Sequence, residues 1–280
     1  MIITDEELQQ LKAIELEILD EFVRICDKHS IKYFLSGGTC LGAIRHKGFI
    51  PWDDDIDVSM LRSDYEKFCE VCKTDLANAY ILQNFHTEKN CGLIFGKIRK
   101  KNTIFSEDYS RHIKMNQGIW IDIFPYDNVP DNEKERSKYI KKVTFLKNLY
   151  IVKCGYKTPP GMSLYGKIAY SVAKFICLFI SQSALIKKLN KELMLYANSN
   201  SKNVFPFGGA YSIEKELLPK TMLNNTCRVE FEGKTYTTFA EYNEYLAGHY
   251  GDYMTLPPEK NRKAGVHRIH ELKVAIKGQS

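Results

Sequence analysis

The sequence predicts an α/β (α+β) protein: one mixed sheet with flanking helices, to which a helical region and a C-terminal region are added. Three observations predict it. Short β-prone runs crowd the first 128 residues and alternate with helical patterns. From Asp131 to about Asn200 the periodicity turns helical, and a hairpin pattern follows. Of the 280 residues, 44% are hydrophobic and 12% aromatic, which suits a sizeable packed core and not a disordered chain. The expected organisation is a catalytic core over 1–130, a helical region over 131–200, and a hairpin–helix–tail region over 201–280 that completes the active site.

Each element has its own warrant. Thr4-Asp5-Glu6-Glu7 is a capping box, and a helix to about His29 follows with the stripe Leu8, Leu11, Ile14, Ile18, Phe22, Ile25. "IKYFLS" reads as a strand ending at Gly37-Gly38, and "TCLGAIRHK" as a short helix opening at Thr39. "DIDVSM" is a second strand, and "SDYEKFCEVC" a helix with Ser63 as its N-cap. "AYILQN", "LIFGKIRKKNTIF" and "GIWIDIFPY" supply further strands. The helical middle is broken by "YKTPPGMS" at 156–163. The tract 164–186 is the most apolar, but Lys167 and Lys174 leave only twelve uncharged residues before Lys187, and a spanning helix needs about twenty. It is read as a buried or amphipathic helix, with core burial favoured over rest on a membrane surface. "CRVEFEGKTYTTF" is a hairpin turning at Glu232-Gly233-Lys234, "AEYNEYLAGHY" a helix, and "MTLPPEKNRKAGVH" extended.

Composition narrows the function. The net charge of +6 is mild and its lysines are spread, so no nucleic-acid partner is expected, whereas an anionic small substrate or lipid headgroups fit. Eight cysteines sit mostly in apolar runs, and the N-terminus "MIITDEELQQL" has no apolar signal region. A reducing, cytoplasmic compartment is expected, with peripheral contact on the inner membrane face as its variant. In "CEVC", Cys69 and Cys72 fall with Tyr65 and Phe68 on one helical stripe, and no second Cys/His pair matches. They read as core, not as a zinc or redox site.

The chemistry concentrates in "SGGTCLGAIRHKGFIPWDDDIDVSM", which places four aspartates within positions 53–57. An EF-hand fails, because its Gly and Glu positions hold Val58 and Asp64. Treated as a strand, 53–58 sends Asp53, Asp55 and Asp57 to one face, and Asp54, Ile56 and Val58 to the other. Such a carboxylate face suits a hard cation, Mg2+ or Mn2+, whose shell substrate phosphates complete. Asp122, alone in the apolar strand "IWIDIF", is costly to bury unless paired or metal-bound. Gly37-Gly38 ahead of a helix at Thr39 would offer N–H groups to a phosphate.

These parts resemble the nucleotidyltransferase superfamily and, more closely, the LicD family, relatives of fukutin-related protein. The resemblance rests on "GGTCLGAIRHKGFIPWDDDIDVSMLRSDYEKF", "GIWIDIFPYD" and the tail "FEGKTYTTFAEYNEYLAGHYGDYMTLPPEKNR". It implies a nucleotidyltransferase-like sheet and transfer of an alcohol phosphate, typically phosphocholine, from a CDP-activated donor such as CDP-choline to a glycan hydroxyl. On this reading Asp53, Asp55, Asp57 and Asp122 are the catalytic and metal-binding acids, and Asp122 is also a candidate proton acceptor. Gly37, Gly38 and Thr39 cradle phosphate, and Arg45, His46 and Lys97 neutralise the donor. Arg262 and His267 are weaker candidates for closing over it. Cys40 and Ser59 stand where the family more often has Leu and Gly.

Choline would need aromatic faces, for which Trp52, Trp120, Tyr250 and Tyr253 are candidates. Two rival readings stand beside this one. A glycosyltransferase also uses a DxD with a sugar nucleotide, and turnover of CDP-alcohols against sugar nucleotides separates them. A catalytically inactive scaffold docked through 164–186 is the other, and donor hydrolysis dependent on magnesium decides it.

Overall fold

The computed structural model describes residues 3–158, 161–262 and 268–275. The capping box forms as expected: Glu7 N–H donates to Thr4 Oγ1 at 3.2 Å, and Thr4 N–H donates back to Glu7 Oε2 at 2.8 Å. It opens α1 (Asp5–Lys28), which packs on the sheet through Leu11, Ile18 and Phe22, all fully buried. Each such side chain contributes roughly 1.5–3 kcal/mol by leaving water.

The main sheet is mixed. Its strands are β1 (Phe34–Leu35), β2 (Asp57–Leu61), β3 (Tyr80–Gln83), β4 (Gly96–Lys100) and β6 (Trp120–Val129), in the order β1-β2-β6-β4-β3. Only β2 and β6 run parallel, with Asp57 beside Asp122 in register. Across β6 the antiparallel β4 places Lys97 beside Asp122. The outer half of β6 pairs with β7 (Asn203–Phe205), which pairs with β8 (Leu218–Pro219). Two further pairs are β5 (Ile104–Glu107) with β11 (Ile269–Lys273), and the hairpin β9 (Thr226–Phe231) and β10 (Lys234–Phe239). The hairpin turns at Glu232-Gly233, both at positive φ.

Three boundaries differ from expectation. The helix α2 (Gly37–His46) starts at the double glycine, not at Thr39, because Gly37 takes φ +54° and Ser36 is the N-cap. The helix α3 (Arg62–Asp75) begins directly after β2, so Ser63 is not its cap. Instead Arg62 makes a buried fork to Asp127, Nε–Oδ1 2.7 Å and Nη2–Oδ2 2.9 Å, tying the start of α3 to β6. The strand β2 begins only at Asp57, so 53–56 is not regular strand. A turn precedes it, with Asp53 N–H donating to Ile50 O at 2.9 Å around Pro51-Trp52.

Two hydrophobic clusters result. One joins α1, α3 and the sheet to the C-terminal third, through Phe231, Tyr236 and Phe239 of the hairpin and Tyr245 and Leu246 of α8 (Tyr242–Tyr250). The other is built by α4 (Glu133–Lys153) and α6 (Gln182–Leu193) with Phe205 and Phe207. A short α7 (Ile213–Glu216) precedes β8. The expected burial of the apolar tract is overturned. In α5 (Leu164–Leu178) only Cys177 is buried, while Tyr165 is 85%, Phe175 62% and the adjoining Phe179 76% exposed. No single helix among the described residues is long and apolar enough to cross a membrane, and α5 and α6 meet at 110°. The eight cysteines are free thiols, and Cys72 lies in the core with Tyr65 and Phe68.

Candidate active site

Register builds the site. Asp57, Asp122 and Lys97 occupy one row across β2, β6 and β4, so their side chains share a face of the sheet. Asp122 is 6% exposed and Lys97 3%, and Lys97 Nζ lies 2.6 Å from Asp122 Oδ1. That ion pair is what makes the lone strand acid tolerable in the core. It also changes the role expected of Lys97: the ammonium serves Asp122 and is not held open for the donor. The same ammonium sits 3.9 Å from the Trp120 ring centroid, with the Arg99 guanidinium 4.7 Å from that ring. Trp120, itself 2% exposed, thereby faces two of the protein's own cations at close range.

The double glycine has a steric reason. A Cβ on Gly37 would lie 2.6 Å from Asp57 Oδ2, and one on Gly38 2.7 Å from Asp53 Oδ2. Both carboxylates therefore press against the first turn of α2. Gly37 N–H, expected at a phosphate, donates to Tyr245 Oη at 2.9 Å. Thr39 acts through its side chain, since its Oγ1 accepts from Asp57 N–H at 2.8 Å and fixes the start of β2.

The other acids converge in a way that alternation did not predict. One oxygen each from Asp53, Asp54 and Asp55 lies within 4.8 Å of the others, and Asp54 is 1% exposed. Parity fails because 53–56 is irregular, so Asp54 joins its neighbours instead of facing away. Beneath them lie two charged residues of α1 that sequence reasoning passed over. Lys12, 5% exposed, donates to Ile50 O at 3.2 Å and to Pro51 O at 3.0 Å, clamping the turn that delivers the aspartates. Glu15 is fully enclosed; burial, then the facing Asp55, Asp54 and Asp53, push its carboxyl well above the usual carboxylate range. The signal was available: positions 12 and 15 adjoin the stripe 8, 11, 18, 22.

The basic candidates gather at the C-terminal end of α2. Arg45 Nε donates to His46 Nε2 at 2.9 Å, and Arg45 Nη1 donates to Tyr253 O at 2.6 Å. Burial, then the neighbouring Arg262, lowers the Arg45 pKa; burial, then Arg45, lowers that of His46. Arg262 also lies 5.8 Å from the Trp52 ring, and His46 meets that ring edge-on at 6.4 Å. Arg45, His46, Trp52 and Arg262 thus form one cluster beside the turn to Asp53. His267 lies outside the described residues.

An all-carboxylate donor set suits a hard divalent cation, and the packed oxygens of Asp53, Asp54 and Asp55 supply one, while Asp57 and Asp122 stand side by side on β2 and β6. The residues present fit such an ion.

Comparison with known proteins bears on this geometry. The family model described as the LicD/FKTN/FKRP nucleotidyltransferase domain matches residues 30–152. The chain is 33% identical, over 94% of its own length and 97% of the relative's, to the lipopolysaccharide cholinephosphotransferase LicD of Haemophilus influenzae. It is 29% identical to an uncharacterized protein of Rickettsia prowazekii, over 36% of this chain and 42% of that one. A third similarity, 35% over 23% of this chain and 21% of the relative, is to an uncharacterized protein of Rickettsia typhi.

Proposed function

The chain belongs to the LicD family, and from that premise we propose that it transfers phosphocholine from a CDP-activated donor to a hydroxyl of a cell-surface glycan or glycolipid precursor, releasing CMP. The observation that carries this reading is the row Asp57–Asp122–Lys97 set against the Gly37-Gly38 turn of α2, with Asp53 and Asp55 alongside. The cholinephosphotransferase activity of the Haemophilus influenzae relative suggests phosphocholine as the group transferred.

In the proposed reaction the acceptor oxygen attacks the phosphorus bearing choline, the new P–O bond forms, and the bond to CMP breaks. The hydroxyl proton passes to a carboxylate of the cluster, for which Asp122 is the candidate. Asp53, Asp55, Asp57 and Asp122 would hold Mg2+ or Mn2+, which when bound supplies positive charge to the diphosphate and to departing CMP. The protein's own work is positional. Lys97 holds one oxygen of Asp122, Thr39 holds the backbone of Asp57, and Lys12 holds the turn before Asp53. Arg45 and Arg262, drawn together beside Trp52, are suited to the anionic donor.

The acceptor reading draws on α5. Its exposed apolar face includes Leu164, Tyr165, Phe175 and Leu178, and Lys167, Lys174, Lys187 and Lys188 are exposed around it. Such a helix would rest in the interface of an anionic membrane, its lysines attracted by about 1 kcal/mol each, and bring the acids to a lipid-linked acceptor.

The test is incubation with CDP-choline, CDP-ethanolamine, CDP-glycerol and CDP-ribitol, following CMP. CMP from CDP-choline that ceases on chelation is expected. CMP from none of the four overturns the proposal, and activity indifferent to chelator overturns its metal.

A further inference from the structure

The face that carries Asp57 and Asp122 continues along the same strands. Two residues on, it presents Ser59 on β2 and Phe124 on β6, and then Tyr126. Over these a cavity of about 100 Å³ opens directly beside Asp57 and Gly37. That is several times the ~10–15 Å³ that one water needs, room for a small branched group.

Its lining is unusual in chemistry. Phe124 and Tyr126 form the floor, Tyr211 one wall, and Tyr245 and His249 of α8 another, with the buried Glu216 among them. The rings brace one another: Tyr211 meets His249 edge-on at 5.4 Å, and Tyr245 meets His249 at 4.4 Å. Several of their polar atoms are already committed. Tyr245 Oη accepts from Gly37 N–H at 2.9 Å, Tyr211 Oη donates to Tyr250 Oη at 3.3 Å, and His249 Nδ1 lies 2.9 Å from Tyr245 O. Glu216 Oε1 accepts from Tyr211 N–H at 2.9 Å, which fixes a carboxyl group among aromatic rings, its pKa raised by burial. A polyol such as ribitol or glycerol would find few free partners here. A cation without hydrogen-bond donors would find ring faces and a carboxylate.

We propose that this cavity, walled by Phe124, Tyr126, Tyr211, Tyr245 and His249 with Glu216, receives the trimethylammonium group of the donor while its phosphate lies at Asp57. The assignment rests on the phosphocholine reading above and adds to it the residues that set donor preference. Its rings differ from Trp52, Trp120, Tyr250 and Tyr253, to which the sequence pointed: Phe124 and Tyr126 come from β6, and Tyr211, Tyr245 and His249 from the C-terminal third.

Two measurements test it. The first is the ratio of CMP release from CDP-choline to that from CDP-ethanolamine. Tyr211→Ala is expected to reduce that ratio about tenfold, Glu216→Gln to reduce it in the same direction, and Tyr211→Phe to retain it. An unchanged ratio in both Tyr211→Ala and Glu216→Gln overturns the proposal and leaves the transfer reaction standing. The second is binding of tetramethylammonium to the protein without nucleotide, read by chemical-shift changes of tyrosine ring signals. Saturable binding by the wild type that Tyr211→Ala abolishes supports the cavity even where no CDP-alcohol is turned over, the result that would remove the underlying reaction. Absence of tetramethylammonium binding overturns the cavity assignment.

Discussion

Asp122 is 6% exposed and Tyr165 is 85% exposed, the reverse of what their polarities alone would arrange. The acidic face is held from all sides: Lys97 pairs with Asp122, Thr39 ties the backbone of Asp57, and two missing side chains at Gly37 and Gly38 make room for carboxylates. The α5 face has the opposite character, a row of large apolar side chains on a helix whose one buried residue is Cys177. Placing charge inside is tolerable only where neighbours over-determine it. Leaving apolar surface outside is tolerable where a non-aqueous surface is available to cover it. The first region therefore should respond steeply to single substitutions, and the second hardly at all in stability.

The contrast is broken most severely by Asp57→Asn. CMP release from CDP-choline should fall beyond the ~100-fold that a merely supporting residue costs, while the circular-dichroism spectrum stays native. Activity within tenfold of wild type would mean that the row across β2 and β6 is not the reacting site.

Lys97→Met comes next. It strands Asp122 in the core, and removal of one partner of a buried pair costs about 3–5 kcal/mol. Urea unfolding should show this loss, and Lys97→Met combined with Asp122→Leu should recover much of it. Independent, additive losses would show that the two residues do not interact.

Glu15→Gln sharpens the comparison through pH. Burial and the facing aspartates raise the folded carboxyl above its ordinary value of 4.5, so the folded state binds the proton more tightly than the unfolded one. This contribution is fully present below pH about 4.5 and is lost as pH rises toward the folded value. The glutamine variant should thus melt at higher temperature than wild type at pH 7.5, the gap closing at pH 4. A gap independent of pH would mean that Glu15 is charged in the folded protein.

The smallest change in stability belongs to Phe175→Ser with Phe179→Ser. Unfolding free energy should move by no more than about 0.5 kcal/mol, while sedimentation with anionic vesicles at low salt should drop. Unfolding as severe as for Lys97→Met would show that α5 is packed in solution after all.

What the sequence disclosed follows the range of the interactions involved. The capping box at Thr4, the Glu232-Gly233 turn, the buried Cys72 and the acidic run itself are local patterns, and each was readable within a few residues. The pairing of Lys97 with Asp122 needed the register between β4 and β6, which no local pattern contains. Asp54 was misplaced because alternation assumes an extended chain, and the Pro51-Trp52 turn clamped by Lys12 breaks that assumption. The start of α2 was set two residues late because a glycine pair usually ends an element, whereas here positive φ at Gly37 begins one. The apolar tract 164–186 was expected inside, since hydrophobicity measures what a segment avoids and not what covers it. Tyr211 and His249 gave no local signal as site residues, because they reach the sheet face from a loop 154 residues and from α8 192 residues downstream of Asp57.

The hydrogen bond from Gly37 to Tyr245 spans 208 residues of chain, and that separation is also a delay. At ribosomal rates of about 5–20 residues per second, roughly 10–40 s pass between the emergence of its two ends. During that interval Asp57 and the neighbouring acids exist without the Tyr245 hydroxyl that later holds Gly37 beside them. Contacts of such long range form late and slowly, so the nascent chain carries its acids before Tyr245 can reach Gly37.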